Sequence, residues 1–111
     1  MATDAALERG LQLIRKREYF AAHEELEDAW RAAEPGERDF LQGLVHVAVA
    51  WYQAGRGNRV GCERQLAKAL RRLSDYGPQH RGVDLAALRP QLEQAVTTAE
   101  GGSLALAPVE L

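Results

Sequence analysis

Apolar residues recur along most of the chain at spacings of three and four, the period of a helix with one buried face. Ala6, Leu7, Leu11 and Ile14 make the first such stripe, with Thr3 placed to act as N-cap. The basic cluster Arg15-Lys16-Arg17 opposes the negative end of the helix dipole, so this helix runs to about Arg15 and a tight junction follows. A second helix runs from about Glu18 to Ala33, with Tyr19, His23, Leu26 and Trp30 on one stripe and acids on most of the opposite side; Glu34-Pro35-Gly36 ends it. A third, from about Arg38 to Ala54, is apolar around well over half its circumference and reads as the central helix. Gly55-Arg56-Gly57-Asn58 supplies a C-terminal glycine and then an N-cap for a fourth helix from about Arg59. This helix directs Val60, Leu66, Leu70 and Leu73 inward, and Gly61 and Cys62 are small enough for a close crossing with the third. Gly77-Pro78 stops it, Asp84 caps a short turn through Leu88, and Pro90 stands in the first turn of a last helix ending near Glu100.

No strand-like alternation and no 34-residue repeat accompanies these patterns. The chain reads as all-α, a four- to five-helix bundle with short antiparallel connections. Residues 1–100 form one helical domain, and 101–111, small and apolar with a late proline, form a flexible or extended C-terminal tail.

Composition narrows the function classes. The 111 residues carry 14 Lys+Arg against 16 Asp+Glu, a net charge of -2, so bulk attraction to nucleic acid or to an anionic membrane is not expected. The longest apolar run, Leu44 to Tyr52, is interrupted by His46 and is about half of the roughly 20 residues that span a bilayer. With no signal-like N-terminus and a single cysteine, Cys62, a cytoplasmic protein without a disulfide framework is expected. Charge is segregated: the second helix is acidic and the fourth basic, two faces that are either solvated or paired, within the bundle or across a homo-oligomer.

One stretch, His23-Glu24-Glu25-Leu26-Glu27-Asp28-Ala29-Trp30, could carry chemistry. His23 and Glu27 lie four apart, so an imidazole and a carboxylate project from one side of the helix, in reach of a shared cation or hydrogen bond. If the second and third helices form an antiparallel hairpin, His46 comes within about one turn of the level of His23. Gln42, His46 and Gln53 make a polar stripe on an otherwise apolar helix, and such a stripe needs partners. His23-Glu24-x-x-Glu27 also echoes the metallopeptidase pattern H-E-x-x-H, but Glu27 replaces the second His and Glu24 lies about 100° round the helix. Cys62 suits packing better than nucleophilic attack, and Gly55-x-Gly57 is a turn between helices.

Three blocks taken in order, Tyr19-Phe20-Ala21-Ala22-His23-Glu24-x-Leu26-Glu27-x-x-Trp30, Gln42-Gly43-Leu44-x-His46-x-Ala48-x-Ala50-x-Tyr52 and Gly57-Asn58-x-x-Gly61, resemble the domain-of-unknown-function family 309 over roughly residues 15 to 75. The resemblance implies a small helical fold, no characterised activity, and a metal-associated hallmark H-x-x-x-E-x-x-W, here His23, Glu27 and Trp30. In that pattern a His often follows Tyr52, where this chain has Gln53, and Gln is frequent where this chain has His46, so His46 would compensate as a donor.

Two readings follow. In the first, His23, Glu27 and His46 bind a divalent metal (Zn, Mn, Fe or Ni) or a small polar ligand, with Trp30, Gln42, Tyr52 and Gln53 lining the site. In the second, the cluster is a buried hydrogen-bond network inside a non-enzymatic interaction module. If the chain is an enzyme at all, a metal-dependent hydrolase is the form expected, with an open coordination position.

Overall fold

The computed structural model describes residues 2–111, with side chains from Asp4 onward, so the expected Thr3 cap lies outside the described side chains. Five helices make the fold: α1 (Ala2–Arg15), α2 (Tyr19–Arg31), α3 (Pro35–Gly55), α4 (Arg59–Leu73) and α5 (Leu85–Glu100). The all-α bundle expected from periodicity is the architecture found.

The α1–α2 and α3–α4 junctions are built alike. Glu18 N–H donates to the Leu13 carbonyl and Arg17 N–H to Ile14, each at 2.9 Å; Asn58 N–H donates to Gln53 at 2.9 Å and Gly57 N–H to Ala54 at 3.1 Å. Both are Schellman caps, which place one residue in the left-handed region. That residue is Arg17 (φ 62) in the first and Gly57 (φ 75) in the second, forty positions apart. The same offset relates the buried stripes of the following helices, Ala22, Leu26 and Ala29 on α2 and Cys62, Leu66 and Ala69 on α4. No 34-residue repeat exists in the sequence pattern, but the fold repeats a helical hairpin at a 40-residue spacing.

Pro35 is the first residue of α3. Its fixed φ and missing N–H suit that position, so the helix starts three residues before Arg38, where the apolar pattern alone would begin it. α3 is the central element, burying Phe40, Leu41, Leu44, Val47 and Ala48 completely. Its close crossing with α4 is made at Gly43, where a Cβ would lie 2.6 Å from Leu73 Cγ. Gly61 does not serve that crossing; its neighbour is the Asn58 side chain, which caps α4 by accepting from Gly61 N–H at 2.9 Å. Val60 is not inward either. It is 58% exposed, on the side of α4 away from Cys62 and Leu66.

Beyond α4 lies a feature too short to show alternation: a two-residue antiparallel ribbon, β1 (Gln79–His80) with β2 (Val83–Asp84). Its turn residues Arg81 and Gly82 both have positive φ, 47 and 78, as a type I′ hairpin requires. Asp84 then accepts from Ala87 N–H at 3.0 Å and starts α5 directly. Pro90 therefore lies inside α5 rather than in its first turn. The Asp84 cap and the unbroken buried stripe Leu85, Leu88, Leu92, Ala95 and Ala99 hold the helix through it.

The segment after α5 is extended and docked. Val109 is buried; Trp51 Nε1 donates to the Ala107 carbonyl at 3.0 Å, and the Gln91 amide both donates to and accepts from the Glu110 backbone at 2.8 Å. Among the described residues no helix is long and apolar enough to cross a membrane.

Candidate functional site

His23 sits in the second turn of α2, its Nδ1 2.7 Å from the Phe20 carbonyl. A carbonyl can only accept, so Nδ1 is protonated; Nε2 faces Glu27 Oε1 at 3.5 Å and forms an ion pair with it when it carries a proton as well. The other carboxylate oxygen of Glu27 faces Arg31 at 3.3 Å, and Arg31 also reaches Asp28 at 2.8 Å. His23 and Glu27 are thus side by side, as their spacing implies, but at the surface rather than buried: the Glu27 side chain is 36% exposed.

The pair leans on an aromatic cluster. Phe20, one helical turn before His23, is 49% exposed, with ring centroids 4.8 Å from His23 and 5.1 Å from Tyr52 of α3. Arg56 donates to the Tyr52 hydroxyl at 2.8 Å and lies 5.5 Å from its ring centroid. Phe20 separates two open depressions, one lined by His23, Glu24, Glu27 and Arg31 and the other by Arg17, Tyr19, Tyr52 and Arg56. In the sequence Phe20 is marked only by its place in the family pattern. The signal for it was available: on a helix whose buried stripe is Ala22, Leu26 and Ala29, position 20 points outward.

The other expected site residues lie elsewhere. His46 is 8% exposed, with Nδ1 2.7 Å from Gln65 Oε1 of α4. Burial, helped by the nearby Lys68, Arg72 and Arg71, holds its imidazole below the usual range, against the hydrogen bond that His46 Nδ1–H donates to Gln65 Oε1. Antiparallel pairing sets the height of His46 along α3 but not the face it occupies. α3 turns Arg38 and Tyr52 toward α2, and Asp39, Gly43 and His46 toward α4. Gln53 also serves the α4 side, accepting from Asn58 Nδ2 at 3.1 Å across the α3–α4 turn. Gln42 is half-buried and takes no part in the His23 network among the described hydrogen bonds. Trp30, seven residues beyond His23, is stacked beneath the Arg38 guanidinium at 4.3 Å.

The donor set does not fit a resident metal. His23 and Glu27 supply one nitrogen and one carboxylate, two ligands fewer than a structural tetrahedral site uses. Among the described residues no three His, Cys, Asp or Glu side chains are grouped to hold an ion. Burial also pushes the Cys62 thiol up, away from the reactive thiolate.

Residues 7–65, more than half of the chain, match the family described as Domain of unknown function (DUF309). The chain belongs to the DUF309 family. It is similar to the uncharacterised protein YpuF of Bacillus subtilis (strain 168), 36% identical over 69 residues that cover 61% of this chain and 38% of YpuF. It is also similar to an uncharacterised protein of Aquifex aeolicus (strain VF5), 28% identical over 87 residues, 78% of this chain and 26% of that protein. The chain thus spans well under half the length of these curated relatives.

The DUF309 match includes every residue of the His23 surface and ends before a second polar cluster is complete. Glu37 of α3 receives His80 Nε2 at 2.8 Å and Arg81 Nε at 2.5 Å, and Arg81 also reaches Asp4 of α1 at 2.6 Å. Burial opposes ionisation of Glu37, but the His80 and Arg81 hydrogen bonds outweigh it and hold the carboxyl below its ordinary range. Tyr76 bridges the same region, accepting from Phe40 N–H at 3.0 Å and donating to the Gly36 carbonyl at 2.9 Å. The members of this cluster lie up to 77 positions apart, a separation no local pattern can display.

Proposed function

We propose that this DUF309 chain is a protein-interaction module whose working surface is Phe20 with His23, Glu27, Tyr52 and Arg56 around it. The observation that carries the reading is Phe20 itself: a large aromatic side chain left 49% exposed, in ring contact with His23 and Tyr52 and flanked by charges of both signs. Exposed aromatic anchors with a polar rim are what protein interfaces are built from. His23 supports this surface by fixing the Phe20 turn through its carbonyl, and Glu27 sets the far edge.

The test places a photoreactive phenylalanine analogue at position 20 and, as a control, at the exposed position 93, in the native cell. A discrete adduct formed only from position 20, and weakened by Tyr52→Ala, is expected. Equal labelling from both positions, or none from position 20, overturns the reading. Elemental mass spectrometry of tag-free protein alongside His23→Ala is the companion measurement. Near-stoichiometric metal lost in the variant would replace an interaction surface with a metal site.

A further inference from the structure

The outer faces of α2 and α4 are equivalent in position and opposite in charge. α2 carries Glu24, Glu25, Glu27 and Asp28 against Arg31, whereas α4 carries Arg59, Arg64, Lys68, Arg71 and Arg72 against Glu63. On α2 the exposed positions Phe20, Glu24 and Asp28 recur every four residues; on α4 Val60, Arg64 and Lys68 do the same, forty positions later. Phe20 and Val60 are also the two exposed large hydrophobics among the described residues, and each stands one turn ahead of two like charges. Glu24 and the cations Arg64 and Lys68 take part in no ion pair among the described residues.

These stripes do not meet within one chain. α2 and α4 pack on different faces of α3, and no ion pair joins them among the described residues. Both run antiparallel to α3, so they point the same way. Two copies in like orientation can therefore lay α2 of one along α4 of the other.

We propose that a second copy of this chain is the partner. Phe20 of one copy lies against Val60 of the next, Glu24 against Arg64 and Asp28 against Lys68, over about 12 Å of helix. The contact ends at Arg31, which already holds Glu27 and Asp28 and would meet Arg71 as a like charge. The proposal deepens the interaction reading above, on which it rests, by naming the partner. Because the two surfaces differ, the contact is heterologous; it closes as a dimer if both pairings form at once and otherwise extends.

Sedimentation of the full chain from roughly 10 µM to 1 mM, a window around the affinity of small interfaces, reads the association directly. Mass rises with concentration, and the rise weakens between about 0.1 M and 1 M salt as the Debye length falls from about 10 to 3 Å. The variants Glu24→Lys/Asp28→Lys and Arg64→Glu/Lys68→Glu each associate about tenfold or more weakly, since like charges then face each other. Circular dichroism of each variant checks that these exposed changes leave the fold intact. Mixed one to one, the two variants associate again, because each supplies the face the other lost. A wild-type chain that stays monomeric in low salt, association that survives either reversal, or a mixture that stays apart each overturns the proposal. Monomeric protein with a position-20 adduct to another protein removes self-association and leaves the interaction reading standing; no adduct at position 20 removes that reading as well.

Discussion

Arg17 and Gly57 occupy the same place in the same cap, with φ of 62 and 75. Only glycine enters that region without strain, so the two positions should respond oppositely to substitution. Arg17→Gly is expected to raise stability by about 0.5–1 kcal/mol, and Gly57→Ala to lower it by about 1 kcal/mol. Urea unfolding of the pair checks both signs, and a loss on Arg17→Gly would mean that the arginine side chain supplies more than its backbone costs. At this scale the sequence displayed chemistry better than placement. The i,i+4 spacing of His23 and Glu27 was enough to bring them together, because both ride on one helix. Whether His46 joined them depended on which face of α3 receives α4, a tertiary choice that spacing along one helix does not encode.

Periodicity marks helices well and their ends less well. α1 to α4 fall where the apolar stripes put them, but the start of α3 was obscured because Pro35 stops one helix and opens the next within the same few residues. α5 ran through Pro90 because the Asp84 cap and its buried stripe outweigh the one lost hydrogen bond. Val60 faces outward despite its apolar character, because its angle on α4 is opposite Cys62 and Leu66. The α3–α4 crossing yields a prediction in which two effects compete. An alanine in a helix interior is favoured over glycine by about 1 kcal/mol, yet at Gly43 the new methyl would meet Leu73 Cγ at 2.6 Å inside a packed core. Gly43→Ala should therefore lower stability, by about 1–2 kcal/mol net, since overpacking costs more than propensity returns. Thermal unfolding decides it, and an increase in Tm would show that Leu73 can move aside.

For the molecule as a whole, two polar centres, His46 buried and Glu37 half-buried, set the response to acid, and both act in one direction. His46 is held below its ordinary range, so it binds fewer protons folded than unfolded; its contribution is complete above the unfolded value of about 6.5 and falls as pH drops below it. Glu37 is likewise held down, and its contribution is lost lower, as pH falls from the unfolded carboxylate value of about 4.3 through the folded one. Melting temperatures measured from about pH 8 to 3 should show both falls. His46→Gln is expected to flatten the upper fall and Glu37→Gln the lower one; interchanged or absent effects would mean that other groups govern acid unfolding. The docked end of the chain has a use of its own. Trp51 donates its indole N–H to Ala107, whereas Trp30, the other tryptophan, lies under Arg38 at the far end of the α2–α3 hairpin. Emission from a Trp30→Phe protein, excited selectively at tryptophan, therefore comes from a single indole that is hydrogen-bonded to Ala107. Its wavelength becomes a built-in gauge of whether that end is seated, with a shift to the red expected when residues 101–111 are removed.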